Sequence, residues 1–126
     1  MFKDTQAFSG YSVDDLEAAE RFYGEVLGID VEVGEMGILT LLLAGGDRPT
    51  LLYPKADHQP ASFTVLNFPV ADVAATVTAL RERGVAFERY EGTDVETDDD
   101  FVFRGGGPLI AWFTDPAGNV LSVIED

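Results

Sequence analysis

An internal repeat constrains the fold of this chain more than any other feature of its sequence. Residues 12–19 (Ser-Val-Asp-Asp-Leu-Glu-Ala-Ala) align with residues 69–76 (Pro-Val-Ala-Asp-Val-Ala-Ala-Thr), an offset of 57 residues. Each copy continues through a segment of periodic apolar residues to a glycine, Gly28 or Gly84, and then resumes as an extended segment. Self-similarity at a fixed offset indicates two copies of one structural unit. The sequence therefore predicts two similar modules.

The periodic segment of each copy predicts an amphipathic helix. The first apolar face has the 3, 4, 3 spacing of a helix and comprises Leu16, Ala19, Tyr23 and Val26. Asp14 is its expected N-cap and Gly28 its expected C-terminal glycine. The second apolar face comprises Val73, Val77 and Leu80. Asp72 is the expected cap of this second helix, and Gly84 is expected to end it.

Eight strands are predicted around the two helices. Those of the first module are residues 6–13, 29–34, 37–44 and 49–54, and those of the second are residues 62–70, 85–91, 108–114 and 119–125. Residues 45–49 and 115–118 have the glycine and proline content of tight turns. Residues 55–61 form the expected linker. The predicted fold class is α+β: one domain of two tandem βαβββ modules, about residues 1–56 and 61–126, forming a cupped mixed β-sheet with flanking helices.

Composition and charge exclude several classes of partner and site. The 126 residues include 23 acidic and 8 basic side chains, a net charge of −15, which would repel nucleic acid and anionic membranes. The chain has no cysteine, so disulfides and thiolate sites are excluded. We expect a cytoplasmic protein, because no apolar run is long enough to span a bilayer and the N-terminal residues lack the apolar core of a secretory signal.

Two motifs occur in order along the chain. The first is residues 12–16 leading to residues 22–28 (Phe-Tyr-Gly-Glu-Val-Leu-Gly), and the second is residues 113–120 (Phe-Thr-Asp-Pro-Ala-Gly-Asn-Val). Together they resemble the vicinal oxygen chelate superfamily, which contains glyoxalase I, extradiol dioxygenases and bleomycin-resistance proteins. The resemblance covers essentially the whole chain and agrees with the repeat. It implies the fold, while function depends on the site that the fold carries.

The resemblance also implies positions for a metal site. Metal-binding members hold a divalent ion with His or Glu on the concave side of four strands. In this sequence the first position falls on Phe8 and its repeat counterpart on Val65. The last-strand position falls on Ser122, and its counterpart in the first module falls near Leu52. These side chains lack the imidazole and carboxylate donors that such cations need, so we expect no metal and no other cofactor.

Strand alternation predicts the side chains that would line the cup. The predicted ligand-binding cup consists of Phe8, Ser12, Leu52, Phe63, Val65, Asn67, Phe103, Arg104, Phe113 and Ser122. Pairing across the 115–118 turn is expected to place Phe113 in the cup and Trp112 behind the sheet. Asn67 is the central polar candidate, because a buried amide without a partner costs roughly 1–3 kcal/mol.

Three further features each allow a functional and a structural interpretation. His58, the only histidine, is either a general base or a solvated linker residue. The acidic run at residues 94–100 lacks the glycine and the glutamate of a calcium loop, which favours a solvated loop. The glycine-rich segment at residues 103–108 is either a lid whose Arg104 pairs with an anionic ligand, or a connector whose arginine neutralises the acidic run.

The leading functional hypothesis is a metal-independent small-molecule-binding protein, similar to the antibiotic-sequestering branch of the superfamily. The alternative is a lyase, isomerase or dioxygenase of the same fold with non-standard metal ligands or a metal-free active site, so whether the chain is an enzyme stays open. A protein-interaction or regulatory module is a third possibility. The expected partners are a small-molecule ligand and, from the resemblance, a second copy in a homodimer.

Overall fold

Seven strands and two helices form along the chain, whose residues 1–126 are all described by a computed structural model. In chain order the elements are β1 (Ser9–Val13), α1 (Leu16–Glu20), β2 (Val31–Val33), β3 (Leu39–Leu43), β4 (Arg48–Pro54), β5 (Thr64–Val70), α2 (Val73–Glu82), β6 (Ile110–Thr114) and β7 (Val120–Glu125). Helix α1 continues directly into a π-helical segment at Arg21–Val26, and a 3-10 turn occupies Ala44–Gly46. No helix is both long enough and apolar enough to cross a membrane.

The chain divides into two units, each built on its own mixed sheet. Unit 1 is Met1–Gln59, and its strand order is β1-β4-β3-β2, with β1 and β4 parallel and the other pairs antiparallel. Unit 2 is Pro60–Asp126, with the order β5-β7-β6, in which β5 and β7 are parallel and β6 and β7 antiparallel. The predicted α+β class with two sheet modules is confirmed.

Both helices begin at an aspartate cap and are followed by a glycine. The Asp72 side chain accepts a hydrogen bond from the Ala75 amide at 3.0 Å, as the cap prediction requires. In the first helix the predicted cap was wrong by one residue: Asp15, not Asp14, accepts from the Ala18 amide at 3.1 Å. The reason is that helical backbone starts only at Leu16, so the position before it is Asp15.

The predicted strand at residues 85–91 does not form as a strand. This segment makes a single antiparallel bridge, Phe87 to Phe113, and the Glu88 amide donates to the Trp112 carbonyl at 2.8 Å. Two residues later Tyr90 has a φ of 51°, in the left-handed region that a non-glycine residue adopts only at a cost. The backbone therefore turns away from β6 before a second bridge can form, and it returns only at Phe103, which bridges to Ile110.

Each sheet buries one face against its helix. In unit 1 Tyr11 and Tyr23 are buried, and the Tyr11 hydroxyl donates a hydrogen bond to the Tyr23 hydroxyl at 2.7 Å. This bond links β1 to the π-helical segment. In unit 2 helix α2 packs on β6 and β7, and the buried residues of these elements are Val73, Val77, Ala111, Phe113, Leu121 and Val123. In both units the other sheet face remains to position functional groups.

Candidate functional site

The face of the unit 1 sheet that lies opposite the buried Tyr11 is here called the Ser12 face. Side chains of directly paired residues lie on the same side of a sheet. Ser12 on β1 pairs with Tyr53 on β4. A second row crosses all four strands and consists of Gly10, Leu51, Thr40 and Glu32. Residues on the Ser12 face are half-buried or exposed. The face therefore combines apolar surface with two hydroxyls, a phenol and one carboxylate.

The prediction that Leu52 lies with Ser12 was wrong. Leu52 pairs with Tyr11 and with Leu39, and its side chain is fully buried on the helix side of the sheet. Because successive side chains of a strand point to opposite faces, an error of one residue in the register exchanges the faces. Tyr53, which pairs with Ser12 and is 41% exposed, occupies the position that was assigned to Leu52.

His58 is not a freely solvated linker residue. Its Nδ1 atom lies 2.6 Å from the Ser12 hydroxyl oxygen, and its backbone amide donates to the Lys55 carbonyl at 3.0 Å. A turn after β4 thus brings the imidazole to the end of β1, and the two groups form a hydrogen-bonded pair. Lys55 forms an ion pair with Asp57 at 2.7 Å, so the pKa of the Lys55 amine is raised and that of the Asp57 carboxyl is lowered.

In unit 2 the corresponding surface is here called the Ser122 face. Asn67, Ser122 and Trp112 are direct neighbours on β5, β7 and β6, so their side chains lie in one row on one side of the sheet. Ser122 is fully buried in the middle of the row, Trp112 is half-buried and Asn67 is exposed. Two of the predicted cup residues, Asn67 and Ser122, therefore do come together, and Trp112, which was predicted to lie behind the sheet, is beside them.

Asn67 and Ser122 form the central polar contact of this face. The Ser122 hydroxyl donates a hydrogen bond to Asn67 Oδ1 at 2.5 Å. The position where the resemblance expects a metal-binding Glu thus holds a buried hydroxyl that is engaged by an amide. The sequence prediction assumed that the Asn67 amide is buried, which is wrong, because Asn67 is exposed. Within the chain its hydrogen-bond partner is Ser122.

The prediction that Phe113 faces the cup while Trp112 lies behind the sheet was wrong, because the two are reversed. Phe113 pairs with Leu121 and is fully buried on the helix side, whereas Trp112 pairs with Ser122. The predicted turn had four residues, 115–118, but Thr114 pairs with Val120, so the loop has one residue more. One additional loop residue shifts the register by one and exchanges the faces of β6.

Hydrogen bonds to the Asp115 side chain stabilise the five-residue turn over the predicted four-residue turn. The Asp115 Oδ1 atom accepts from the Ala117 amide at 3.0 Å and from the Asn119 amide at 2.8 Å. Its Oδ2 atom accepts from the Asn119 side-chain amide at 3.2 Å. Asn119 Oδ1 in turn accepts from the Ala61 amide at 3.2 Å, which ties the segment before β5 to the turn.

An aromatic cluster surrounds Trp112. The Tyr90 ring packs edge-on against the Trp112 ring, with the two centroids 5.4 Å apart. The Phe103 ring is tilted relative to the Trp112 ring, and their centroids are 5.9 Å apart. Phe103 therefore lies on the Ser122 face, next to Trp112. The pKa of the Tyr90 phenol is raised, first by its burial and then by the negative charge of Glu88, so this hydroxyl stays protonated. Sequence reasoning did not find Tyr90, because it was assigned to the interior of a strand.

Phe8, Phe63 and Val65 lie at or before the start of their strands. Phe8 precedes β1 and Phe63 precedes β5, and their side chains are 65% and 68% exposed. Strand β5 has a register irregularity between Thr64 and Leu66, so Val65 has no partner in β7. Alternation therefore does not assign Val65 to a face, because a bulge changes the direction of the side chain.

Arg104 lies in a network within the loop between Tyr90 and β6. Its Nε atom donates to Asp98 Oδ2 at 2.7 Å, the neutralising contact that was one of the two interpretations. Asp98 Oδ1 also accepts from the amides of Asp100 and Val102. Although burial acts to raise the pKa of the Asp98 carboxyl, these amides and the Arg104 guanidinium outweigh it and hold the pKa below its ordinary value. In the same loop, Asp99 forms an ion pair with Arg89 at 3.1 Å.

The donor groups of the chain do not fit a divalent cation. The implied positions hold Phe8, Val65 and Ser122, of which only the serine has an oxygen, and that hydroxyl donates to Asn67. No group of three or more His, Asp or Glu side chains comes together in an arrangement that could hold a metal ion. Hard and borderline cations require such convergent donors.

Comparison with known proteins identifies the family. The sequence profile of the Glyoxalase/Bleomycin resistance protein/Dioxygenase superfamily matches residues 7–123. The chain belongs to this superfamily, which confirms the resemblance of the two motifs. No functionally curated protein matches the chain.

Solved structures of similar fold include two from Streptomyces sp. CB03234. TnmS3, described as an antibiotic-binding protein, is 28% identical with a TM-score of 0.66, over 97% of each chain. A glyoxalase/bleomycin resistance protein is 29% identical with a TM-score of 0.60, over 94% of this chain and 99% of the other. A superfamily member from Sphaerobacter thermophilus DSM 20745 is 23% identical with a TM-score of 0.69, over 97% and 98% of the two chains, and shows the fold alone.

Proposed function

We propose that this chain is a metal-independent protein that binds small, largely apolar molecules, and that the Ser122 face is its main binding surface. The observation that carries the proposal is the Asn67–Ser122–Trp112 row. Where the resemblance implies a metal ligand, this row has a buried hydroxyl bonded to an amide, and an aromatic side chain lies beside it. Apolar side chains with a few placed polar groups are typical of small-molecule sites.

The surroundings of the row support this proposal. Trp112, Tyr90 and Phe103 form a continuous aromatic surface, and burying apolar area contributes about 25 cal/mol per Å². The similarity to TnmS3, described as an antibiotic-binding protein, agrees with a ligand of the same broad kind, an organic small molecule such as an antibiotic. Among the predicted cup residues, Ser122, Asn67 and Phe103 belong to this surface, and we retain Ser12 as part of a second surface in unit 1.

The test is to measure metal content and binding together. Protein purified without chelators is analysed for transition metals, calcium and magnesium, and its thermal midpoint is screened against a library of apolar antibiotics with EDTA or with added manganese, nickel, iron or zinc. We expect less than stoichiometric metal and ligand-induced stabilisation that EDTA does not change, since a ligand that binds only the folded state stabilises it. One equivalent of a bound ion, or binding that requires an ion, would contradict the proposal.

An enzyme of the same fold is the second candidate, and the Ser12–His58 pair favours it. A hydroxyl and an imidazole at 2.6 Å form a hydrogen-bonded pair of the kind that general acid–base catalysis uses. Such an enzyme would be a lyase, an isomerase or a dioxygenase. Turnover assays with a methylglyoxal hemithioacetal and with catechols test this candidate, and turnover that His58→Gln abolishes would establish it over the binding protein.

We also propose a cytoplasmic homodimer, from the absence of cysteine and from the family resemblance. Phe8, Phe63 and Val65 stay as proposed contributors to binding, since their side chains are exposed or half-buried. Arg104 also stays as a proposed contributor, because half of its side chain is exposed although its Nε atom donates to Asp98. Native mass spectrometry of the purified protein gives the oligomeric state, and a monomer at micromolar concentration would contradict the dimer.

A further inference from the structure

We propose that the Ser122 face selects neutral, planar aromatic ligands that carry a hydrogen-bond acceptor such as a carbonyl, and that the Asn67 amide N–H₂ is the group that recognises this acceptor. The proposal rests on the proposed function, which it narrows from apolar small molecules to one chemical class. Three independent features of unit 2 support it: the orientation of the amide, the geometry of the row and the local charge.

The orientation of the Asn67 amide is fixed by Ser122. The Ser122 side chain is fully buried, and its hydroxyl donates to Asn67 Oδ1. Rotating the amide by half a turn would replace this acceptor with an N–H₂ group and leave the buried hydroxyl without an acceptor, which is unfavourable. The amide nitrogen therefore stays on the side away from Ser122. It makes no hydrogen bond within the chain, and Asn67 is exposed, so two N–H donors are available to a ligand.

The geometry of the row sets the shape of the ligand. Asn67 and Trp112 are separated by one strand, and neighbouring strands lie about 4.8 Å apart, so their backbones are roughly 10 Å apart. Trp112 is supported by Tyr90 and Phe103, which limits its movement. A fused ring system that stacks on Trp112 therefore extends toward Asn67 and can place a polar substituent within reach of the amide. Aromatic stacking requires a planar ligand.

The local charge favours a neutral acceptor over an anion. The Glu88 amide donates to the Trp112 carbonyl, so this acidic residue borders the aromatic cluster. Its negative charge is one cause of the raised pKa of the Tyr90 phenol, after burial. The chain as a whole has a net charge of −15. A carboxylate or phosphate at Asn67 would be repelled by these charges, whereas a ketone, quinone or amide carbonyl would not.

The test compares three probes of nearly equal size: 1-acetylnaphthalene, 1-ethylnaphthalene and 1-naphthoate. Trp112 is the only tryptophan in the chain, so its fluorescence reports occupation of this face. The side-chain amide signal of Asn67 in a ¹⁵N-correlated NMR spectrum, assigned by its loss in Asn67→Asp, reports the hydrogen bond. We expect the ketone to bind about five- to tenfold more tightly than the ethyl compound. We expect the naphthoate to bind most weakly, and the Asn67 signal to shift only with the ketone.

Two variants and one control separate recognition from folding. Asn67→Asp keeps an acceptor for the Ser122 hydroxyl but removes both donors, so the ratio of the ketone affinity to the ethyl-compound affinity should fall to about one. Ser122→Ala frees the amide to rotate and should reduce the preference in part. Ser62→Asp adds the same charge at an exposed position before β5 and should change neither affinity.

The outcomes distinguish this inference from the proposed function. If 1-acetylnaphthalene and 1-ethylnaphthalene bind equally, or if the naphthoate binds most tightly, the inference about Asn67 is overturned while binding at the aromatic surface stands. If no probe changes Trp112 fluorescence at any concentration up to its solubility limit, both the inference and the proposed binding surface are overturned.

Discussion

At the scale of single residues, Asp115 affects the candidate site without being part of it. Its side chain is 4% exposed and accepts hydrogen bonds from two backbone amides and one side-chain amide of its own turn. These bonds keep five residues between Thr114 and Val120, and this loop length decides that Trp112 rather than Phe113 lies beside Ser122. A carboxylate in a turn thus determines which aromatic ring is available to a ligand.

Replacing Asp115 should therefore affect both stability and the site. Asp115→Ala removes the acceptor of these N–H groups, and hydrogen bonds to a charged group contribute about 1.5–3 kcal/mol each, so we expect the free energy of unfolding to fall by at least about 2 kcal/mol. Urea unfolding followed by circular dichroism measures it, and the emission maximum of Trp112 reports the change in its environment.

Asp47→Ala is the control, because Asp47 lies exposed in the corresponding turn of unit 1, between β3 and β4. It should change the free energy of unfolding by no more than about 0.5 kcal/mol. An Asp115→Ala protein as stable as the Asp47→Ala protein would show that the turn keeps its length without the carboxylate.

Local sequence does not display two properties that place single residues: the register between strands and contacts between distant segments. Asn67 and Ser122 could be predicted to lie close to a site from alternation within their strands. Leu52 and Phe113 were placed on the wrong face because a register depends on loop length, and the conformation of the 115–119 loop depends on hydrogen bonds that the sequence does not display. The Ser12–His58 contact was missed because the two residues are 46 positions apart, and periodicity gives no information on contacts at that separation.

At the scale of elements, the segment from Tyr90 to Phe103 is held by its own charged and aromatic contacts rather than by strand pairing. The guanidinium groups of Arg81 and Arg89 lie 4.6 Å and 5.6 Å from the centroid of the Phe101 ring. Arg89 also pairs with Asp99, and Arg104 pairs with Asp98. Since both ends of this segment contact Trp112, its order bears directly on the aromatic surface.

Acid should loosen this segment before it unfolds the sheets. The pKa of Asp98 is lowered from its ordinary 3.8 by the amides and Arg104, which outweigh burial. A carboxyl whose pKa is lower in the folded state stabilises that state above about pH 3.8, and this contribution is lost as the pH falls through the folded value. Below about pH 3.8 we therefore expect faster hydrogen exchange of the Val102 amide, after correction for intrinsic rates, because this amide donates to Asp98.

In the Asp98→Asn variant, hydrogen exchange of the Val102 amide should be fast at every pH and should no longer depend on the titration of a carboxyl at position 98. Asp94→Asn, an exposed acid of the same run, should retain the wild-type profile. Equal profiles for wild type and Asp98→Asn would show that the Asp98 charge does not hold the segment.

Most helices and strands could be predicted from periodicity and turn residues. The exception is the segment at residues 85–91. Both helices and seven of the eight strands form close to the predicted positions. Residues 85–91 have the alternation of a strand, but the left-handed backbone of Tyr90 ends the pairing after one bridge. Local sequence does not show which neighbouring backbone is free to pair, and this decides whether an extended segment becomes a strand.

At the scale of the whole molecule, the net charge of −15 is the dominant electrostatic property. Ion pairs such as Lys3–Asp4 and Lys55–Asp57 join side chains that are mostly exposed, so they compensate little of the repulsion. The fold and the family could be predicted at this scale because the repeat and the two motifs extend over nearly the whole chain. The ligand could not, because the proposed binding surface is defined by only a few contacts around Asn67 and Trp112.

Salt should stabilise this protein. Raising the ionic strength from 0.01 M to 1 M shortens the Debye length from about 30 Å to about 3 Å and screens the repulsion among like charges. We expect the thermal midpoint in sodium chloride to rise by several degrees, as measured by calorimetry. The double variant Glu35→Lys/Asp94→Lys changes two exposed acids and reduces the net charge to −11, so its midpoint should rise less. A midpoint that falls with salt would show that the ion pairs outweigh the repulsion.

The two halves of the molecule are unequal in one respect that matters for protein engineering. Unit 1 completes a four-stranded sheet, whereas in unit 2 the backbone between Gly84 and β6 makes only two isolated bridges. Residues 91–97 lie between Tyr90 and Phe103, the two rings that contact Trp112. Insertions, deletions or randomised codons there would therefore leave every paired strand in register while changing how the two rings are held. A library confined to residues 91–97 is therefore a direct way to seek variants with new ligand preferences.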